Sequence, residues 1–171
     1  MFDRKTRMQL LDDEAETAKT YPLALASVNF RFEGNLGFLV RAAACFGVSE
    51  VLVVGALPEY RIFRQLSAGT SCIMDIKQFS TPRELLSYTR ANNYHNVALE
   101  LSESASNLND YIFPKSKVCI ITGSETTGVP GELLANSDQV YIPMPGLGRC
   151  LNTSQAANIA LYEYQRQIND L

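Results

Sequence analysis

Three short stretches of this 171-residue chain hold side chains that could do chemistry: "EGNLGFLVRA" with Asn35 and Arg41, "IITGSETTGVP" with Glu125, and "IPMPGLGRCLNTSQAAN" with Asn152. The first reads like the mouth of a phosphate loop. It matches neither G-x-G-x-x-G nor G-x-x-x-x-G-K-[ST], and its one strong cation comes six residues after the asparagine. Gly34 and Gly37 permit tight backbone geometry, and Asn35 is expected to cap the following helix through its side-chain oxygen. In the second stretch, Gly123, Glu125 and Gly128 place a carboxylate over a strand end with backbone free to approach a ligand. The third is a Pro/Gly loop with no bulky side chain, followed by polar residues before a helix. A backbone-lined apolar slot of that kind suits an adenosine-like ligand.

Each stretch also has a plain structural reading. Arg41 is then a solvated helix residue, Glu125 caps the helix at "PGELL", and one of Asn152, Thr153 or Ser154 caps the last helix. Composition narrows the choice. The chain is 46% hydrophobic and 19% charged, ordinary for a folded protein, and its net charge of −3 argues against a general polyanion binder. Nucleic-acid contact would need a local cluster of arginines. No apolar run approaches the roughly 20 residues of a membrane span, and the charged N-terminus is not a signal peptide, so the cytoplasm is expected. Four dispersed cysteines and one histidine, His95, give no zinc cluster and no Cys/His or Ser/His pair. Cys45 and Cys119 lie in apolar runs and are expected to be buried thiols.

The elements that must position these residues follow from pattern. "LALASVNF", "EVLVVG", "CIMDIKQF", "NVALEL", "KVCIITG" and "QVYIPM" read as strands, mostly apolar throughout. Helices are expected at "LGFLVRAAACFG", ended by Gly47, at "TPRELLSYTRANN", at "PGELLANS" and at "SQAANIALYEYQRQI". The second carries a capping box, with Thr81 as N-cap, Pro82 at N1 and Glu84 at N3. In the last, Ala157, Leu161 and Tyr164 or Gln165 share one side. Apolar strands alternating with helices predict an α/β fold with a largely parallel sheet covered on both faces, binding its ligands beyond the carboxyl ends of the strands. The small residues of "RAAA" allow another helix or a partner subunit to pack closely.

In this order the three stretches resemble the motifs of the SpoU (TrmH-like) RNA 2′-O-methyltransferases, of the SPOUT superfamily, from about Ala24 to Ile168. Asn35, Gly37 and Arg41 match the first motif, Gly123, Glu125 and Gly128 the second, and "IPMPGLGRCLNTSQAAN" the third. The resemblance implies a single methyltransferase domain over residues 21–171 after an N-terminal helical extension over 1–20, with a deep C-terminal trefoil knot. It implies S-adenosylmethionine as methyl donor, held by Leu99, Glu100, Gly123, Ile142, Met144, Cys150 and Leu151, with no metal required. Arg41, Asn35, Glu125 and Asn152 become the catalytic set. A guanidinium stays protonated, so Arg41 is expected to anchor a phosphate and stabilise a developing alkoxide rather than act as a base. Asn35 is expected to orient either Arg41, or Glu125 and the third loop.

The resemblance also implies a homodimer acting on RNA. Arg31, Arg61, Arg64, Arg149 and Arg166 flank the motifs and, with Arg41, form a local basic surface. A compact tRNA, read by shape and phosphates, is expected over an rRNA site. The family usually has Ser-Leu-Asn where this chain has "CLN", so Cys150 replaces a hydroxyl with a weaker hydrogen-bonding thiol. That departure leaves an alternative, a non-catalytic RNA- or cofactor-binding relative.

Overall fold

The computed structural model describes residues 18–148 and 150–169. Arg149 and most of the expected N-terminal extension, residues 1–17, therefore lie outside the described residues. In chain order the elements are β1 Tyr21–Val28, α1 Glu33–Cys45, β2 Val48–Val54, α2 Tyr60–Leu66, β3 Asp75–Phe79, α3 Pro82–Ala91, β4 His95–Leu99, β5 Ser106–Asn107, β6 Val118–Thr122, α4 Gly131–Leu134, β7 Asp138–Tyr141 and α5 Thr153–Asn169. A 3-10 turn at Thr70–Cys72 precedes β3. The seven strands form one sheet in the order β3-β2-β1-β6-β4-β7-β5. Every pairing among them is parallel.

The uniform apolarity of the strands follows from burial on both faces. Leu23, Leu25, Val51, Val53, Val97 and Ile120 face one layer, where they cluster with Leu36, Leu39 and Val40 of α1 and Leu161 and Tyr164 of α5. Ala24, Ala26, Leu52, Val54, Cys119 and Ile121 face the other, with Leu85 of α3 and Leu133 of α4. α1 and α5 pack side by side over the sheet, and Gln165 Nε2 donates to Phe46 O at 2.6 Å at the end of α1. The small residues Ala42 and Ala43 are buried as expected of a close-packed helix.

Local signals set most boundaries. Thr81 caps α3 by accepting from the Glu84 amide at 3.2 Å, while the Glu84 carboxylate accepts from the Ser80 amide at 2.8 Å, one residue upstream of the usual capping-box partner. α2 gives little periodicity to read, because Phe63 is its sole buried residue. Two expectations need correction. α1 begins at Glu33, so Gly34, Asn35 and Gly37 lie within its first turns rather than in a loop, and no side chain of the N-cap residue Phe32 caps it. Gly37 instead permits close approach of α2, since a Cβ there would lie 2.5 Å from Leu66 Cβ. Cys119 is fully buried, and burial pushes its thiol pKa up. Cys45 is exposed, because it closes α1 on the side turned away from the sheet.

Glu50 of β2 is a buried carboxylate with three donors. It accepts from Tyr88 OH at 2.7 Å, from Tyr94 OH at 2.5 Å and from Lys77 Nζ at 2.7 Å. Burial raises its pKa, but the hydrogen bonds from Lys77, Tyr94 and Tyr88 outweigh it and hold the group below its ordinary 4.5. Stability from this cluster is therefore complete above pH 4.5 and lost as pH falls through the depressed value. Glu50→Gln is expected to cost about 1–3 kcal/mol, or roughly 2–12 °C in Tm, and to flatten the acid limb of the stability curve. Thermal melts from pH 3 to 7 check this.

Candidate functional site

The carboxyl ends of β1, β6, β4 and β7, neighbours in the sheet, carry the residues singled out from sequence. β1 leads into Arg31, Phe32 and α1. β6 leads into Gly123 and a tight loop in which the Ser124 amide donates to Gly128 O at 3.1 Å and the Gly128 amide returns to Ser124 O at 2.9 Å. That loop presents Glu125 to the start of α1. The carboxylate accepts from the Arg31 amide at 2.8 Å, from the Phe32 amide at 3.4 Å and from Asn35 Nδ2 at 2.5 Å. A side chain from a distant loop thus anchors the backbone leading into α1, at the end where Asn35 is expected to be the cap. Burial raises the Glu125 pKa, but the hydrogen bonds from Asn35 and from backbone amides hold it below the ordinary carboxylate value. A helix N-terminus favours the same ionised state.

Asn35, buried within α1, connects this carboxylate to the third stretch. Its Oδ1 accepts from Asn152 Nδ2 at 2.9 Å. Asn152 Oδ1 in turn accepts from the Ser154 amide at 2.9 Å and from Ser154 Oγ at 2.6 Å, so Asn152 caps α5. Thr153 Oγ1 donates to Gly123 O at 3.3 Å. Of the two partners expected for Asn35, these bonds select Glu125 and the third loop over Arg41. The line Glu125–Asn35–Asn152–Ser154 ties together segments more than one hundred residues apart.

Two cavities meet at this line. One of about 430 Å³ is lined by Leu99, Glu100, Gly123, Glu125, Cys150, Leu151 and Asn152, among others. A neighbouring hollow of about 150 Å³ shares Leu99, Glu100, Cys150 and Leu151 and adds Ile142 and Met144. Every residue expected at the cofactor lines one or both. Among the described residues the backbone amides of Ile142, Met144 and Leu151 have no hydrogen-bond partner. Unused donors along an apolar slot suit the edge of an adenine ring, so these residues fit S-adenosylmethionine. Glu100 has a second task that sequence did not reveal. Its Oε2 accepts from the Val129 amide at 2.8 Å and its Oε1 from the Leu101 amide at 3.1 Å, which braces the β4 loop against the β6 loop.

Arg41 lies in the other cavity, of about 540 Å³, between α1 and α5, with Phe38, Cys45, Asn152, Ser154 and Asn158 in its walls. Asn152 therefore lines both sides. Arg41 is exposed and has no hydrogen bond or ion pair among the described residues. Arg31 is exposed above β1, and Arg61 and Arg64 are exposed on α2. Arg166 lies near the far end of α5, with its guanidinium on the Glu163 carboxylate at 2.7 and 2.9 Å. His95 pairs with Asp138 Oδ2 at 2.7 Å at the amino ends of β4 and β7, the edge of the sheet away from the site. Among the described residues no helix is long and apolar enough to cross a membrane.

Solved structures share this architecture. The A. aeolicus TrmH/SpoU tRNA modifying enzyme superposes with a TM-score of 0.80 at 23% identity, covering 94% of this chain and 85% of that one. An AdoMet-bound rRNA methyltransferase from Sinorhizobium meliloti does so with a TM-score of 0.80 at 23% identity, over 88% of this chain and 58% of that one. Fold and site together define an α/β protein of the TrmH/SpoU architecture. The chain matches the SpoU rRNA Methylase family over residues 22–162 and belongs to it. The tRNA (guanosine(18)-2′-O)-methyltransferase of Escherichia coli (strain K12) is 31% identical over 134 residues, which are 78% of this chain and 58% of that enzyme. The chain thus spans little more than half the length of that relative.

Proposed function

We propose that this chain transfers a methyl group from S-adenosylmethionine to a ribose 2′-hydroxyl of a structured RNA. The observation that carries the proposal is the position of Asn152, hydrogen-bonded to Asn35 and lining both the cofactor-type cavity and the cavity that holds Arg41. When bound, S-adenosylmethionine supplies a methyl on a cationic sulfur, which is already electrophilic. The protein's work is then orientation. Leu99, Ile142 and Leu151 provide the apolar walls, with Met144 and Cys150 beside them. Glu100 and Gly123 set the spacing of two loops. Arg41 holds an RNA phosphate and stabilises the ribose 2′-oxygen as its proton passes to solvent water. Glu125, ionised and fixed by Asn35, keeps α1 at the distance from Asn152 that brings the two cavities together.

A tRNA substrate is favoured by the names of the E. coli and A. aeolicus relatives, and the S. meliloti name supports rRNA as the second choice. Arg31, Arg61 and Arg64 give the RNA its basic contacts, Arg149 is assigned the same role from its sequence position, and the cytoplasm is the place of action. Exposed Phe38 of α1 and Ile159 and Tyr162 of α5 favour a homodimer formed across these two helices beside Arg41. The single domain and its C-terminal knot belong to the same reading. Transfer of labelled methyl to unmodified tRNA and rRNA tests it, and absence of transfer to either rejects it.

The alternative of a non-catalytic relative rests on Cys150, whose thiol lines both parts of the cofactor-type cavity. On the catalytic reading Cys150→Ser raises the transfer rate about 2- to 10-fold, the value of one recovered hydrogen bond. Initial rates at saturating RNA measure it. A wild-type protein without turnover that gains turnover through this change would favour the alternative.

A further inference from the structure

Phe32 is 62% exposed at the carboxyl edge of the sheet, between exposed Arg31 and the first turn of α1. Single exposed apolar residues are ordinary, but two observations set this one apart. Its backbone is fixed, because its amide and that of Arg31 both donate to Glu125. Its ring is seated as well. A Cβ on Gly34 would lie 2.4 Å from Phe32 Cε1 and 2.9 Å from Cζ, and the three atoms nearest to it all belong to Phe32. Glycine in a helix is destabilising relative to alanine. Here its effect is to let an aromatic ring lie against the first helical turn while most of the residue stays open to solvent.

We propose that Phe32 is a base-stacking residue, whose ring takes a nucleobase flanking the ribose held by Arg41. This rests on the reading of the chain as an RNA methyltransferase. Every base has a π-face, so an oriented ring beside a cation is a sequence-tolerant platform for an unstacked nucleotide. Nine helical steps of about 1.5 Å separate Phe32 from Arg41, about 13 Å along the axis, which places a neighbouring nucleotide on the ring rather than the target itself. A second copy of this chain is the less favoured occupant. The exposed apolar residues of α1 and α5, Phe38, Ile159 and Tyr162, lie along those two helices, whereas Phe32 stands before α1 next to Glu125.

The chain contains no tryptophan, so Phe32→Trp creates a single fluorescent reporter at this position. Titration with unmodified tRNA and rRNA is expected to quench it saturably. Phe32→Ala is expected to raise the KM for RNA by about 5- to 150-fold, the range for loss of one stacked base, with the KM for S-adenosylmethionine unchanged. Gly34→Ala, which displaces the ring without removing it, should weaken RNA in the same direction. Wild-type transfer combined with an unchanged RNA KM in Phe32→Ala overturns the stacking assignment and leaves the methyltransferase reading intact. A shift of Phe32→Ala to a smaller oligomer overturns it in favour of a subunit contact. Failure of the wild-type protein to methylate either RNA overturns both.

Discussion

Arg41→Ala lowers methyl transfer to RNA by about 100- to 1,000-fold at saturating cofactor, the usual effect of removing one charged group aimed at a developing oxyanion. The expectation rests on where the side chain stands. Arg41 is exposed in a cavity of about 540 Å³, shares a wall with Asn152, and has no hydrogen bond or ion pair among the described residues. Its loss should therefore leave stability within about 0.5 kcal/mol of wild type. Cofactor affinity should also hold, because Arg41 does not line the cavity that contains Leu99, Gly123 and Leu151. Arg41→Lys keeps the charge but loses the planar fork, so it should recover only part of the rate. Single-turnover rates with calorimetric cofactor binding check both statements. Wild-type turnover in Arg41→Ala would remove this residue from the chemistry.

Gly123→Ala has the largest expected effect on the cofactor. A Cβ at this position would lie 2.1 Å from Gly128 C and 2.3 Å from Gly128 O and Val129 N. All three are backbone atoms, so no side chain can rotate away, and the two sides of the β6 loop must separate. Gly128 has φ +65 and is itself confined, with an added Cβ falling 2.2 Å from Glu100 Oε2. The displacement therefore reaches the Glu100–Val129 bond that joins the β4 and β6 loops. Overpacking costs about 1–3 kcal/mol or more. The affinity for S-adenosylmethionine should fall about 10- to 100-fold, together with a lower Tm. Calorimetric titration of the variant gives the number, and an unchanged affinity would place the cofactor elsewhere.

Much of this arrangement is legible in the residues. Uniformly apolar strands such as "VCIIT" are buried on both faces, which is why a parallel sheet was readable without knowing its order. Strand order was not readable, because nothing local to β6 states that it pairs with both β1 and β4. Helix starts show the same division. Thr81 and Glu84 cap α3 from within four residues, so their pattern is visible. The entry into α1 is held by Glu125, more than ninety residues away, whereas the local pattern points to Asn35 as its cap. The two residues are linked in the fold, but the direction of their partnership appears only when β1 and β6 lie side by side. Cys45 escapes the pattern for a similar reason, since an apolar run does not tell which of its members ends a helix on the open side. Glu100 reads from sequence as a cofactor contact and lines that cavity, but its bond to Val129 depends on a loop that folds back from β6.

The central claim is that the methyl group reaches a ribose oxygen, and the most direct measurement is of the product nucleoside. Unmodified tRNA is incubated with the protein and S-adenosylmethionine carrying a deuterated methyl, digested to nucleosides, and analysed by mass spectrometry. A nucleoside heavier by one labelled methyl, which loses the label with the sugar on fragmentation, is expected in wild type but not in Arg41→Ala. A label that stays with the base, or a wild-type product that Arg41→Ala forms equally well, would contradict it.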